Sequence, residues 1–255
     1  MGIAKLVLKI ANVLINLVVV SALCTAGAYA GYALWDNNRV YAAVDDVREG
    51  LLEFKPDADE DKPSFEELLK INPDVKAWLT IDNTGIDYPV VQGKTNLSYI
   101  NTDVYGNFSL AGSIFLDSRN DGNFNDPYSL LYGHYMEKGK MFGDLELFKD
   151  EKFFRENQTG TLILPDRVYN LEIYACLSVS ASEDAIFNPE LWQDDIDGLM
   201  QFTEDNALYL NNAVFDQMKS MTDDVQILSM TTCTSEFTDA RTVVLACMVP
   251  RKTAN

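Results

Sequence analysis

Residues 10–34 form an almost unbroken apolar run in which Asn12 and Asn16 are the only strongly polar members. At helical rise this run exceeds the roughly 30 Å hydrocarbon core of a bilayer, so it can span a membrane with some tilt. Lys5 and Lys9 precede the run and Asp36 follows it. That asymmetry orients residues 1–9 to the cytoplasm and everything after the span to the outside of the cell. A cleaved secretory signal is the rival, because Ala28-Tyr29-Ala30 offers a small-x-small site. Signal cores are only about 7–15 residues long, so the length favours an uncleaved anchor. A lipoprotein site at Cys24 is a poor fit, because Leu23 stands where a small residue is needed.

Charge divides the chain at the same place. The sequence carries a net charge of −19, and all of its Asp and Glu residues lie at or beyond Asp36. An exported part this acidic is ill-suited to nucleic acid, which is gripped through basic surface. Solubility and repulsion from like-charged surfaces account for the acid without a specific partner.

Beyond the span, Val40, Val44, Val47, Leu51 and Phe54 recur at helical spacing and make one apolar stripe. KPDADEDKP (55–63) follows as a proline-bounded acidic linker or exposed loop. Residues 35–63 are therefore expected to be a juxtamembrane amphipathic helix plus linker, and the stripe favours packing over a free stalk. Ser64, before Glu66 and Glu67, marks a helix start running to Lys70, with a domain expected over 64–255.

From Ala77 the pattern turns to strands, expected at 78–81, 88–92, 113–116, 129–132, 160–164, 168–180, 225–232 and 242–249. Pro165-Asp166 between two of them marks a hairpin. Many short strands in fewer than about 200 residues suggest a closed barrel or a sandwich, so the fold class is mainly β with added helices. The strand pattern lapses between Pro189 and Met221. There Asp195 and Asp197 precede Ile196, Leu199 and Met200 in the manner of a helix amino terminus.

Within 228–248, Cys233 ends one apolar run and Arg241 begins the next, with SEFTD (235–239) supplying turn chemistry between them. A strand–turn–strand unit would bring the two side chains near one another. A cation beside a cysteine stabilises the nucleophilic thiolate. A buried structural cysteine beside a surface arginine has the same spacing. His134, the single histidine, leaves the end of an apolar strand and enters the loop Tyr135-Met136-Glu137-Lys138-Gly139. Loops carried on rigid strands are where catalytic groups concentrate.

Other chemistries lack their residues. The cysteines at 24, 176, 233 and 247 show no CxxC spacing, and one histidine leaves no zinc constellation. Three cysteines follow the span, so one at least is unpaired in a monomer, and a Cys176–Cys247 disulfide would leave Cys233 free. There is no phosphate-binding glycine loop or dinucleotide fingerprint, and DADED lacks the alternation of a calcium loop. No cofactor and no metal are implied.

INPDVKAWLTI (71–81), DYPVVQG (87–93), AGSIFLD (111–117), LLYGHYMEKGKMFGDL (130–145) and TTCTSEFTDAR (231–241) occur in this order. In these pieces the chain resembles the sortases, membrane-anchored cysteine transpeptidases of Gram-positive bacteria, and class B among them. The family's TLxTC signature stands here as Ser229-Met230-Thr231-Thr232-Cys233, which keeps the Thr-Cys pair. The resemblance implies a closed eight-stranded β-barrel, a helix before the cysteine strand, and His134, Cys233 and Arg241 as the catalytic set. By the same resemblance Thr231 and Asn96 line the peptide groove, and Thr232 supports the substrate or the oxyanion.

The activity so implied is cleavage of a C-terminal sorting signal after Thr through a thioacyl-enzyme. The secreted protein is then transferred to an amine of peptidoglycan or to a pilin lysine. A membrane-anchored cysteine endopeptidase that hydrolyses the same thioester is the alternative, and a binding module of sortase fold with dead chemistry is a third reading. Papain-like and NlpC-type peptidases place the cysteine before the histidine, and the Ser-His-Gly-Cys motif of L,D-transpeptidases is absent.

Overall fold

The computed structural model describes residues 2–59, 64–221, 225–232 and 240–251. Two compact units divide the chain, Met1–Asp46 and Val47–Asn255. One helix, α1 (Gly2–Leu52), runs through the boundary. It contains a stretch long and apolar enough to cross a membrane. In the first unit its apolar side chains from Ile10 to Leu34 are exposed, as a lipid-facing surface requires. Tyr29, Tyr32 and Trp35 lie toward the far end of this apolar stretch, and the Arg39 guanidinium lies 4.9 Å from the Trp35 ring centre.

The second unit begins with the last turns of α1, followed by α2 (Glu66–Ile71) and two antiparallel strands, β1 (Val75–Ile81) and β2 (Asp87–Val91). Asn83 takes a positive φ of 59° in the turn between these strands, a conformation asparagine tolerates better than most residues. β3 (Ile114–Leu116) pairs parallel with β2, and β4 (Tyr128–Gly133) pairs antiparallel with β3. A small hairpin follows, β5 (Tyr135–Met136) and β6 (Lys140–Met141), whose turn places Lys138 and Gly139 at positive φ. After a 3₁₀ segment at Gly143–Lys149 come α3 (Glu151–Glu156) and the hairpin of β7 (Thr159–Ile163) and β8 (Val168–Ser180). The expected turn at Pro165-Asp166 closes with Leu164 N donating to Arg167 O at 2.8 Å.

The chain then crosses α4 (Asp184–Phe187), α5 (Ile196–Asn206), β9 (Ala207–Leu210) and α6 (Asn212–Ser220). It ends in β10 (Ile227–Thr232) and β11 (Ala240–Pro250). Asp195 caps α5, accepting from Gly198 N at 2.9 Å, as the acidic start of that segment predicts. The strand order is β11-β10-β4-β3-β2-β1-β7-β8, and β8 returns to pair with β11. The eight strands close on themselves, so the barrel is the one expected. β9 is added outside it, on the stretch Ala175–Leu177 of β8 beyond the reach of β7. The strand pattern had been expected to lapse there. A four-residue outer strand is too short to show alternation.

Buried side chains cover the barrel wall in two places. Tyr128, Leu130, Tyr174 and Leu177 pack against Leu199 and Met200 of α5 and Phe215 and Met218 of α6. Leu51 packs with Phe65, Leu68, Trp78 and Phe115 at the second place, where Val47 and Phe54 join it. Burying a leucine this fully contributes about 1.5–3 kcal/mol. The Lys55 ammonium reaches Asp87 Oδ1 at 2.8 Å, and Arg251 Nη1 reaches the Ala58 carbonyl at 2.8 Å. Residues 47–58 thus belong to the second unit and contribute to its core.

Candidate active site

β4 and β10 lie side by side and parallel, while β11 runs back antiparallel along β10. The carboxyl ends of β4 and β10 and the amino end of β11 therefore share one edge of the barrel. Register fixes the neighbours: Thr232 pairs with Gly133, and Thr231 pairs with both Tyr132 and Val243. His134 follows Gly133 directly, and Arg241 is the second residue of β11. Cys233 follows Thr232 in the chain; it and the connection through Asp239 lie outside the described residues.

His134 is held by its main chain, whose carbonyl accepts from Phe142 N at 3.0 Å. Gly133 permits that approach, because a Cβ there would come within 2.7 Å of the Phe142 ring. The His134 Nδ1 is enclosed and has no hydrogen-bond partner among the described residues. Burial lowers the imidazole pKa, since the charged form is stripped of water. The start of β11 is anchored next to Arg241, where the Thr242 hydroxyl bonds to the Glu146 carboxylate. Glu146 also pairs with Lys149 at 2.5 Å.

A groove of about 300 Å³ opens at this edge, and Asn96, Thr232 and Arg241 all line it. Its apolar side is an aromatic stack in which Tyr132 lies 5.3 Å from Phe115 and 6.4 Å from Phe187, centre to centre. Thr231, expected in the groove, is not among its lining residues. It is 0% exposed and its Oγ1 is buried with no hydrogen-bond partner among the described residues, since a strand alternates its side chains between faces.

Behind the groove lies a carboxylate that the sequence reading passed over. Asp117 is 0% exposed. It accepts from Arg119 N and Nε at 2.9 Å, Arg119 Nη2 at 2.7 Å, Asn96 Nδ2 at 2.9 Å and Tyr132 OH at 3.2 Å. Burial pushes its pKa up, but the Arg119 and Asn96 hydrogen bonds outweigh that and leave it below the ordinary value. The only sequence signal was an acid closing the apolar strand of AGSIFLD with an arginine two residues on.

The other barrel cysteines are of a different kind. Cys176 and Cys247 are free and buried, so no disulfide joins them. Burial pushes their thiols up to about 12 and about 11, far from any nucleophilic role.

Residues 79–249 match the family model described as the sortase domain, and the chain belongs to the sortase family. Its similarity within that family is to class B. Listeria monocytogenes Sortase B is 28% identical over 228 residues, which covers 87% of this chain and 89% of that one. A Streptococcus pyogenes class B sortase involved in pilus biogenesis is 34% identical with a TM-score of 0.65, covering 72% of this chain and 97% of its own. The structure of Clostridium perfringens sortase B is 31% identical with a TM-score of 0.64, covering 73% of this chain and 100% of its own. Family membership implies cysteine transpeptidase chemistry.

Proposed function

We propose that the chain is a membrane-anchored cysteine transpeptidase that cleaves a sorting signal after Thr and joins the secreted protein to an amine. The observation that carries this reading is the shared barrel edge. Parallel pairing sets Thr232, the residue before Cys233, beside Gly133, the residue before His134, and Arg241 lines the groove at the same edge. Cys233 is the nucleophile, His134 the acid and base, and Arg241 the electrostatic donor.

Burial favours neutral imidazole at His134, the form that accepts the Cys233 proton. The thiolate sulfur bonds to the threonine carbonyl carbon, and the oxygen charge that develops is met by Arg241. A planar fork suits that oxygen better than a lysine point charge. As the C–N bond breaks, His134 returns the proton to the departing amine and a thioester remains. The acceptor amine then gives a proton to His134 and attacks the thioester, so that an amide forms and the C–S bond breaks. Thr232 and Asn96, both lining the groove, are assigned to the substrate.

Residues 10–34 are the anchor, residues 1–9 are cytoplasmic, and the catalytic part is extracellular. Lys5 and Lys9 before the span support that orientation, and Tyr29, Tyr32 and Trp35 suit the opposite membrane–water interface. The acceptor is an amine of peptidoglycan or, as the pilus role of the S. pyogenes relative suggests, a pilin lysine.

The test uses the full chain in detergent micelles with a library of pentapeptides carrying Thr at the fourth position. Bridge-type glycine peptides and a pilin-type lysine peptide serve as acceptors. Mass spectrometry is expected to find the product diverted from free acid to amide when an acceptor is added. Free acid alone with every acceptor would overturn the transpeptidase and leave the endopeptidase. Protease added to protoplasts should remove the catalytic part, and survival until lysis would reverse the orientation.

A further inference from the structure

Three elements of the groove converge on one buried carboxylate. Asp117 bonds directly to Asn96 and to the Tyr132 hydroxyl, both groove residues. The third connection runs through Arg119, which grips Asp117 with two prongs and uses the same Nη2 to donate to the Phe187 carbonyl at 2.7 Å. Its Nη1 reaches Asn188 Oδ1 at 3.2 Å. Phe187 ends α4, and its ring lies nearly parallel to Tyr132, at 12°. One wall of the groove is thus tied at its backbone by Arg119 and at its ring by Tyr132, and both ties lead back to Asp117.

We propose that Asp117 and Arg119 are positioning residues that set the width of the groove and so govern peptide binding, without taking part in the chemistry. An arginine fork is suited to the task because its donors leave in fixed directions, and the Asp117 carboxylate orients them. The five donors on Asp117 leave its charge compensated, so the clamp is rigid at rest and pre-forms the groove before peptide arrives. Substrate recognition here rests on the transpeptidase reading, whereas the clamp itself does not.

Arg119→Lys keeps the charge facing Asp117 but loses the fork, and Asp117→Asn keeps the shape but loses the charge. Each is made in the full chain in micelles and compared with wild type by three measurements. KM for the best Thr-containing pentapeptide of the library should rise about tenfold, the effect of losing one charge-assisted hydrogen bond, with kcat changed less than about twofold. The rate at which methyl methanethiosulfonate modifies Cys233 should change less than about twofold, since that reagent is too small to need the groove. Amide exchange at Phe187 and Asn188, which bond to Glu183 and Asp184 carbonyls at 3.0 Å, should speed up.

Unchanged exchange and unchanged KM would overturn the proposal. So would a fall in kcat or in thiol modification equal to the rise in KM, because the clamp would then be supporting the whole site. Faster exchange at Phe187 in a chain whose wild type cleaves no peptide would uphold the clamp and sink the transpeptidase reading.

Discussion

Asp117 follows β3 and His134 follows the neighbouring antiparallel strand β4, one buried and the other half-buried, and the protein treats them in opposite ways. Asp117 receives side-chain donors from Asn96, Arg119 and Tyr132 together with the Arg119 amide. The His134 Nδ1 is enclosed with no partner among the described residues. The hydrogen bonds on Asp117 more than offset its burial, and its pKa falls below the ordinary value. Burial at His134 disfavours the charged form, and no hydrogen bond to Nδ1 among the described residues offsets it. A fully satisfied buried charge is scaffold, since all its bonding capacity is used internally. A buried titratable group with capacity in reserve is poised for protons that arrive with the chemistry.

The sharpest way to break this comparison is to measure activity at both ends. His134→Ala should reduce cleavage of the sorting peptide at least 10²-fold, the scale of general acid–base catalysis. Cys233→Ala should abolish it, while Cys176→Ala and Cys247→Ala leave it intact. Arg241→Lys should lose most of the activity despite keeping its charge. Equal loss from all three cysteine variants would point to a structural role for Cys233 and remove His134 from the chemistry with it.

Stability should show the reverse order. Asp117→Ala strips Asn96, the Tyr132 hydroxyl and Arg119 of a shared acceptor, and leaving such donors unsatisfied should cost about 1–3 kcal/mol, with the part-exposed Arg119 able to turn to water. His134→Gln removes no hydrogen bond of Nδ1 among the described residues, so the cost should stay below about 1 kcal/mol. Thermal melts of the two variants in micelles decide it. A His134 variant as damaging as the Asp117 one would mean that both ends are scaffold.

A smaller effect lies in pH. His134 has a folded pKa below its unfolded value of about 6.5, so between the two the unfolded chain binds more protons. Its contribution is therefore fully present above about pH 6.5 and is lost as pH falls toward the folded pKa, by at most about 1.4 kcal/mol per pH unit. Asp117 is also depressed, but from about 3.9, so its contribution is lost only as pH falls below that value. Melting temperature should decline first below about pH 6.5 and more steeply in the acid range. His134→Gln should flatten the first decline only. A flat wild-type profile between about pH 6.5 and 5 would show that His134 is compensated after all.

The smallest effect expected is at the two buried thiols. With values near 12 and 11, Cys176 and Cys247 should stay unmodified at pH 8 under conditions that label Cys233. Labelling of Cys247 at a comparable rate would show that the wall opens far more readily than its packing implies.

The eight strands that close the barrel were legible because each carries enough apolar or β-branched residues in a row to show its character. Val168–Ser180 stands in the structure with the bounds its residues indicate. The hairpin Tyr135–Met136 with Lys140–Met141 was not legible, since two residues cannot display a period. Thr231, which the resemblance places in the groove, is buried in this structure. Its neighbour Thr232 lines the groove, and the alternation of side chains along β10 sends Thr231 to the other face, where it is buried. Asp117 gave only the faint signal of an acid two residues before Arg119, because its meaning comes from Asn96 and Tyr132, which are near it only after folding. The Cys-His-Arg set is a proposal that rests on family resemblance and on the shared barrel edge, with Cys233 outside the described residues.

The parallel pairing of β4 with β10 has a consequence in time. Ile227 meets Tyr128 roughly a hundred residues after Tyr128 has been synthesised, a separation that makes this contact entropically slow to form. At about 5–20 residues per second the His134 strand waits roughly 5–20 s for its neighbour. Until then the barrel has an open seam at the edge where the chemistry is assigned. A nascent chain at that stage carries His134 and the Asp117–Arg119 clamp but neither Cys233 nor the groove residues Thr232 and Arg241, so the assigned nucleophile and donor reach the site together, on the last hairpin of the barrel.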